Sequence, residues 1–242
     1  MFLFHYYNVS IAVFDNTFCN GFASLFRGAG YLGVDFFFTL SGFLITSVLI
    51  AGDSFGLGRF YLRRGLRIIP LYLVIVVASY LIIPHLLGQK LNLPPVGYLL
   101  TFSVNYFYAW HGDKYLFAIT ILWSLSVEMQ FYLVWGAVLK FLKPYIYPLA
   151  GILIISSVLA KYFLYGKCSL YYSTVSYVPD FMMGAIGAKL LYDKAFDFAN
   201  INRVTRLSIY IVAAVVFVLD PYLYQFIWWK IGGNCVYSLL AL

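Results

Sequence analysis

The stretch AGYLGVDFFFTLSGFLITSVLI, Ala29 to Ile50, holds a single charged residue, Asp35, in 22 positions. As a helix it extends about 33 Å, enough to cross the hydrocarbon core of a bilayer. Windows of the same kind recur at Ile68–Leu87, Ile119–Leu142, Tyr145–Tyr165, Thr174–Tyr192 and Leu207–Ile227. Pro95–Trp110 is apolar but short and carries Ser103 and Asn105; it is read as a further span. None of these windows shows the alternating segments of about ten residues that a membrane β-barrel needs.

The whole chain agrees. It is 63% hydrophobic and 10% charged, with a mean hydropathy of +0.87. A soluble domain is about 45–50% apolar and about 25% charged. A soluble enzyme, a disordered chain and a nucleic-acid-binding domain are excluded. The net charge of +7 does not change this, because the 16 Lys and Arg are spread thinly between apolar blocks, a topology pattern with no nucleic-acid partner. Cys19, Cys168 and Cys235 lie far apart, so neither a metal site nor a disulfide framework is expected.

Both ends look cut. Met1–Phe14 would rise only about 21 Å before Asp15 and Asn16, and it lacks the basic start and cleavage pattern of a signal peptide. Val236–Leu242 is apolar and stops abruptly. The expectation is an all-α polytopic transmembrane helix bundle of about eight spans with partial helices at both ends. Residues 1–242 then form a single integral membrane domain that is incomplete.

Arg59, Arg63, Arg64 and Arg67 fall within nine residues. On a helical wheel they sit at about 0°, 40°, 140° and 80°, with Tyr61, Leu62, Gly65, Leu66, Ile68 and Ile69 between about 180° and 340°. Phe60, at about 100°, is the exception. The pattern predicts a basic amphipathic helix at the interface, ended by Pro70, on the cytoplasmic side. Counting spans from there puts Lys140, Lys143, Arg203 and Arg206 outside, a conflict to which a misread Pro95–Trp110 would be the answer. The arginines read either as an anchor on anionic lipid or as a phosphate grip, since guanidinium forks match phosphate oxygens.

A charge in mid-membrane costs at least ~2.5–3.5 kcal/mol, so His5, Asp35, Glu128, Asp180 and Asp220 are functional candidates. A neutral His5 can take a proton from a hydroxyl; the alternative is a packing histidine. Ser124, Glu128 and Tyr132 form a polar stripe at i, i+4, i+8. Glu128 there can orient a base, bind substrate hydroxyls or pair with an arginine. Asp35 aligns with Thr39, Gly42 and Thr46, and Asp180 precedes Gly184 and Gly187, both small-residue packing faces. Asp220 precedes Pro221 at a kink. His85 and His111 read as helix-end or loop residues. P-loop, GxSxG, HExxH and GxGxxG patterns are absent.

Three blocks resemble the acyltransferase 3 family of multi-spanning membrane acyltransferases that modify surface polysaccharides. Gly33-Val34-Asp35-Phe36-Phe37-Phe38-Thr39-Leu40-Ser41-Gly42-Phe43-Leu44-Ile45-Thr46 is similar to its second-helix signature. Arg59-Phe60-Tyr61-Leu62-Arg63-Arg64-Gly65-Leu66-Arg67 is similar to its arginine-rich segment. Leu122-Trp123-Ser124-Leu125-Ser126-Val127-Glu128-Met129-Gln130-Phe131-Tyr132 is similar to its third block. The resemblance covers about the first 135 residues. It implies a roughly ten-span bundle in a bacterial inner or plasma membrane. It also implies an acyl-CoA cosubstrate, usually acetyl-CoA, with no bound cofactor, and a sugar hydroxyl on a surface glycan or lipid-linked sugar as acceptor. By position it makes His5 catalytic, with Glu128 supporting the active site. Arg63, Arg64 and Arg67 then hold the donor phosphates or shape the donor site. Asp35 and Ser41 are read in addition as substrate-binding residues. The competing classes are a transporter or flippase of a charged lipid-linked glycan and an inactive truncated product.

Overall fold

The computed structural model describes residues 17–51, 56–88, 91–112 and 114–194, with 202, 203, 207 and 208, and gives side chains from Gly33 onward. Helices and turns account for all regular structure among the described residues. The first is α1 (Thr17–Ala51), followed by α2 (Leu57–Val77), which passes through a π turn at Ala78–Ile82 into α3 (Ile83–Leu87). Two short helices follow, α4 (Val96–Leu100) and α5 (Val104–His111), then α6 (Phe117–Thr120) and α7 (Leu122–Leu142). A 3-10 turn, Lys143–Tyr145, leads to α8 (Ile146–Leu164), and a second, Leu170–Tyr172, to α9 (Thr174–Tyr192). Among the described residues, three stretches are long and apolar enough to cross a membrane: Gly33–Ala51, Leu57–Leu86 and Ala118–Leu164.

The expected windows at Ala29–Ile50, Ile119–Leu142, Tyr145–Tyr165 and Thr174–Tyr192 all fall on helices. Two expectations are corrected. Pro70 does not end the arginine segment; α2 runs through it, so the arginines occupy the first turns of a long apolar helix. Proline removes only its own N–H, and the carbonyl it frees belongs to exposed Leu66, beside Arg67. Pro95–Trp110 is not one span. The chain breaks between α4 and α5 at Thr101–Ser103, where Phe102 adopts φ 51°, and neither helix exceeds eight residues. Both terminal fragments, the Leu207–Ile227 window apart from Leu207 and Ser208, and the candidates His5 and Asp220 lie outside the described residues.

The chain divides into two compact units, Ile45–Pro179 and a second built from the segments Met1–Leu44 and Asp180–Leu242. In the second, the two small-residue faces read from the sequence meet. A Cβ on Gly42 would collide with the Phe181 backbone, and one on Gly184 with the Thr39 carbonyl. Phe38 and Phe181, both fully buried, meet nearby at a tilt of 46° with ring centroids 4.9 Å apart.

In the Ile45–Pro179 unit, α2 and α7 lie side by side and antiparallel. Tyr61 near the start of α2 donates to the Leu133 carbonyl in α7 at 3.0 Å, while Tyr72, further along α2, lies beside Ser126, nearer the start of α7. Helix α8 then returns, since Tyr171 and Tyr172 pack on Trp123 at the start of α7 with centroids 4.9 and 5.5 Å away. The core between them holds fully buried Tyr72, Leu99, Tyr108, Trp123 and Trp135. Outward faces are apolar: Leu71, Val74, Leu81, Ile152 and Ile155 are all exposed. Apolar surface of that extent suits hydrocarbon, where helices satisfy their own backbone groups.

Candidate functional site

Glu128 is buried on α7, and the hydroxyl of Tyr132, one turn on, donates to its Oε1. The i, i+4 spacing in the sequence is thus a real contact. Ser124, the third member of the stripe, turns away and donates to the Ile121 carbonyl at 3.2 Å. On the other face of Tyr132 comes α2. The Arg64 guanidinium lies 5.4 Å from the centre of the Tyr132 ring and 6.0 Å from that of Phe60. Phe60 meets Tyr132 edge-on at 6.5 Å. A cation over aromatic faces gains about 0.5–2 kcal/mol, more where water is scarce. Glu128, Tyr132, Phe60 and Arg64 therefore form one cluster in which a buried carboxylate and a guanidinium share one tyrosine.

The local sequence makes this approach possible. Tyr61 lies over Gly136, where an added Cβ would fall 2.6 Å from its hydroxyl. Without a side chain at 136, α2 can come close enough for Arg64 to reach Tyr132. One turn beyond the cluster, Trp135 Nε1 donates to Thr46 Oγ1 at 2.8 Å, both groups buried, which pins the last turns of α1 to α7.

The four arginines separate. Arg64 turns inward and is half-buried; Arg59, Arg63 and Arg67 lie exposed along one stripe at i, i+4, i+8. The wheel placed Phe60 as the exception on the basic face, yet it is Phe60 that α2 buries, while Leu62 and Leu66 are exposed. Among the predicted site residues the structure thus brings together Arg64 and Glu128, and it places Arg63 and Arg67 on the adjacent outer surface. Asp35 is half-buried and Ser41 buried on α1 in the other unit. His5 lies outside the described residues.

Sequence reasoning missed several polar residues. Gln130 and Asn105 hydrogen-bond to each other at 2.9 Å, and each is also tied to Thr174. The signal for Gln130 was the one used for Glu128, a polar group in an apolar helix. Lys161, buried in α8, was passed over although it meets the same criterion.

Comparison with known proteins places these residues in a family. A model described as an acyltransferase domain matches residues 1–242. The peptidoglycan O-acetyltransferase OatA of Listeria monocytogenes is 36% identical over 129 residues, covering 47% of this chain and 20% of that protein. The O-acetyltransferase OatA of Staphylococcus aureus is 37% identical over 126 residues, covering 47% of this chain and 21% of that protein. The putative peptidoglycan O-acetyltransferase YrhL of Bacillus subtilis is 34% identical over 119 residues, covering 44% of this chain and 19% of that protein. The chain spans about a fifth of the length of these relatives. No solved structure matches it. On the match over its whole length, the chain belongs to the acyltransferase 3 family.

Proposed function

We propose that this chain is the membrane-embedded catalytic part of an O-acyltransferase. It moves an acyl group, acetyl in the first instance, from acyl-CoA to a hydroxyl of a surface glycan. The single observation that carries this reading is the Arg64–Tyr132–Glu128 cluster beside the exposed arginine stripe, in a chain of this family. Relatives named as peptidoglycan O-acetyltransferases favour a glycan acceptor. The chain crosses the membrane several times, the spans being the windows read from the sequence without Pro95–Trp110.

In the proposed reaction Arg63 and Arg67 hold donor phosphates through bidentate hydrogen bonds. Arg64, fixed over Tyr132, orients the site, and Glu128 supports it. His5 takes the proton from the acceptor hydroxyl. The acceptor oxygen attacks the thioester carbonyl, a C–O bond forms, the C–S bond breaks, and the proton passes from His5 to the departing thiolate. Asp35 and Ser41 bind substrate. With donor and acceptor bound at opposite faces, the same chemistry runs in two steps: a ring nitrogen of His5 attacks the thioester carbonyl and the C–S bond breaks, and the acceptor oxygen then attacks the acyl carbon, the C–N bond breaks and His5 regains a neutral ring as the acceptor proton is lost.

The test is release of CoA and formation of acyl ester by purified protein given acetyl-CoA and a peptidoglycan fragment. Ester formation at a rate above the no-protein control is the expected result. A transporter or flippase of lipid-linked glycans shows neither product, and that outcome would sink the proposal.

A further inference from the structure

A serine inside a helix ordinarily returns its hydroxyl to a carbonyl one turn back. Ser124 and Ser126 in α7 do so, donating to Ile121 O at 3.2 Å and to Leu122 O at 3.1 Å. Ser79, in the π turn that follows α2, does not. It is fully buried, yet its hydroxyl has no hydrogen-bond partner among the described residues. The main chain departs from the rule at the same residue. A helical carbonyl takes the N–H four residues on, or five residues on in a π turn. For Ser79 these belong to Ile83, whose N–H goes to Ala78 O, and to Pro84, which has none. One residue therefore presents a hydroxyl without a partner and a carbonyl without either helical donor.

A second such hydroxyl lies close by. Tyr108 on α5 is fully buried, and its hydroxyl too has no hydrogen-bond partner among the described residues. It lies beside the Thr120 hydroxyl, which donates to Leu116 O at 3.3 Å and keeps lone pairs to accept with. The register of α2 brings Ser79 to the same place. Tyr72, Val76 and Ser79 form one buried stripe at i, i+4, i+7. Tyr72 lies beside Ser126, and α2 runs antiparallel to α7, so Ser79, seven residues on, comes level with α6, on which α2 also packs. Thr120 is the last residue of α6. Tyr72 and Tyr80, which bracket Ser79 in the chain, both lie close enough to the Tyr108 hydroxyl to act on it electrostatically. Val76, Ile119 and Leu122 at this level are apolar and buried.

The chemistry of these groups selects the ligand. None of them is ionised, so the ligand is neutral. It must donate to the Ser79 carbonyl and also exchange hydrogen bonds with hydroxyls, which a carbonyl or ether oxygen cannot do. Water does both, and a buried water makes about three hydrogen bonds. We propose that the Ser79 hydroxyl and carbonyl, with the hydroxyls of Tyr108 and Thr120, hold one buried water that ties the π turn to α5 and α6. At the depth of the hydrocarbon no bulk water reaches these groups, and such a bridge removes the cost of burying them without a partner. Thr120 precedes Glu128 by eight residues, about 12 Å of helix, so the site stands apart from the Arg64–Tyr132–Glu128 cluster and does not rest on the transferase reading.

The test is a double-mutant cycle of Ser79→Ala and Tyr108→Phe in the purified protein in detergent. Tyr108→Phe keeps the ring, which packs on Tyr115 and Tyr172 with centroids 5.6 Å away in each case, and removes only the hydroxyl. The sign of the change decides. Two hydroxyls buried dry are unsatisfied groups, and removing either would raise Tm. Two hydroxyls that hold a water lose its hydrogen bonds, and each single variant should lower Tm by about 2–4 °C. The double variant should fall no further than the larger single change, because one water is lost once. A Tm unchanged or raised in Tyr108→Phe overturns the proposal, as do falls that add. Oxidation by hydroxyl radicals made from water by X-ray radiolysis reads the site directly. Tyr108 should be oxidised although it is buried, and less so in Ser79→Ala. Tyr177, also buried but donating to Tyr171 O at 2.8 Å, should stay unmodified. Oxidation of neither tyrosine, or of both alike, overturns the proposal too.

Discussion

Arg63 and Arg64 are neighbours in the chain and face opposite surroundings. The consequence is a division of labour that exchange for lysine can expose. Lysine keeps the charge but offers neither the fork nor the flat face. Arg63→Lys and Arg67→Lys should weaken acetyl-CoA binding roughly tenfold each with little change in the catalytic rate, read by equilibrium binding and steady-state kinetics. Arg64→Lys should leave donor affinity nearly intact and lower the rate. Unchanged donor affinity in the first pair would reduce the exposed stripe to a lipid anchor. Glu128→Gln keeps the shape and loses the charge, so the protein should insert normally and lose most transfer; full activity would leave Glu128 a packing role. The Glu128–Tyr132 contact was legible because both lie on one helix, one turn apart. The inward turn of Arg64 was not, because a helical wheel knows the spacing of α2 but not that α7, with Gly136, stands against it.

Helix boundaries were legible wherever hydropathy decided them, and Thr174–Tyr192 was read to the residue. They failed at two prolines. Pro70 lies where an exposed carbonyl can lose its partner at little cost, so α2 continues through it. Pro95 opens a short helix that ends at Thr101, because Phe102 leaves the helical region and Gln130 takes its carbonyl. That partner lies 28 residues away, beyond any local pattern. Removing this span resolves the charge conflict. Helix α7 now returns to the arginine end, so Lys140 and Lys143 join Arg59–Arg67 on one side. Single cysteines at Gly58 and Lys140 should both resist a membrane-impermeant thiol reagent in intact cells and both react after permeabilisation. Reaction of one but not the other from outside would restore the extra span. The glycine contacts give a stability test at the same scale. Gly184→Ala and Gly42→Ala force methyl groups into backbone and should each cost about 1–3 kcal/mol, measured as a lowered Tm in detergent. Gly33→Ala, on the same helix as Gly42, meets nothing and should be neutral.

For the whole molecule, the composition alone settles that the chain lives with apolar surroundings, and the match over residues 1–242 gives its family. The two ends of the Ile45–Pro179 unit differ in kind. One, at the start of α2, carries a stripe of exposed arginines; the other, beyond the π turn, carries no arginine. The helical run from Arg67 to Leu87, α2 with its π turn and α3, is some 20 residues or about 30 Å long, a bilayer core. The central claim is that the donor is used at the first end and the acceptor at the second. It is tested by sealed proteoliposomes with the arginine end facing outward, a peptidoglycan fragment trapped inside, and radiolabelled acetyl-CoA added outside. The account predicts acetyl ester on the trapped fragment, abolished by His5→Gln, and none when the donor is trapped with the fragment instead. Transfer only when both substrates share one compartment, or unchanged transfer in His5→Gln, would contradict it.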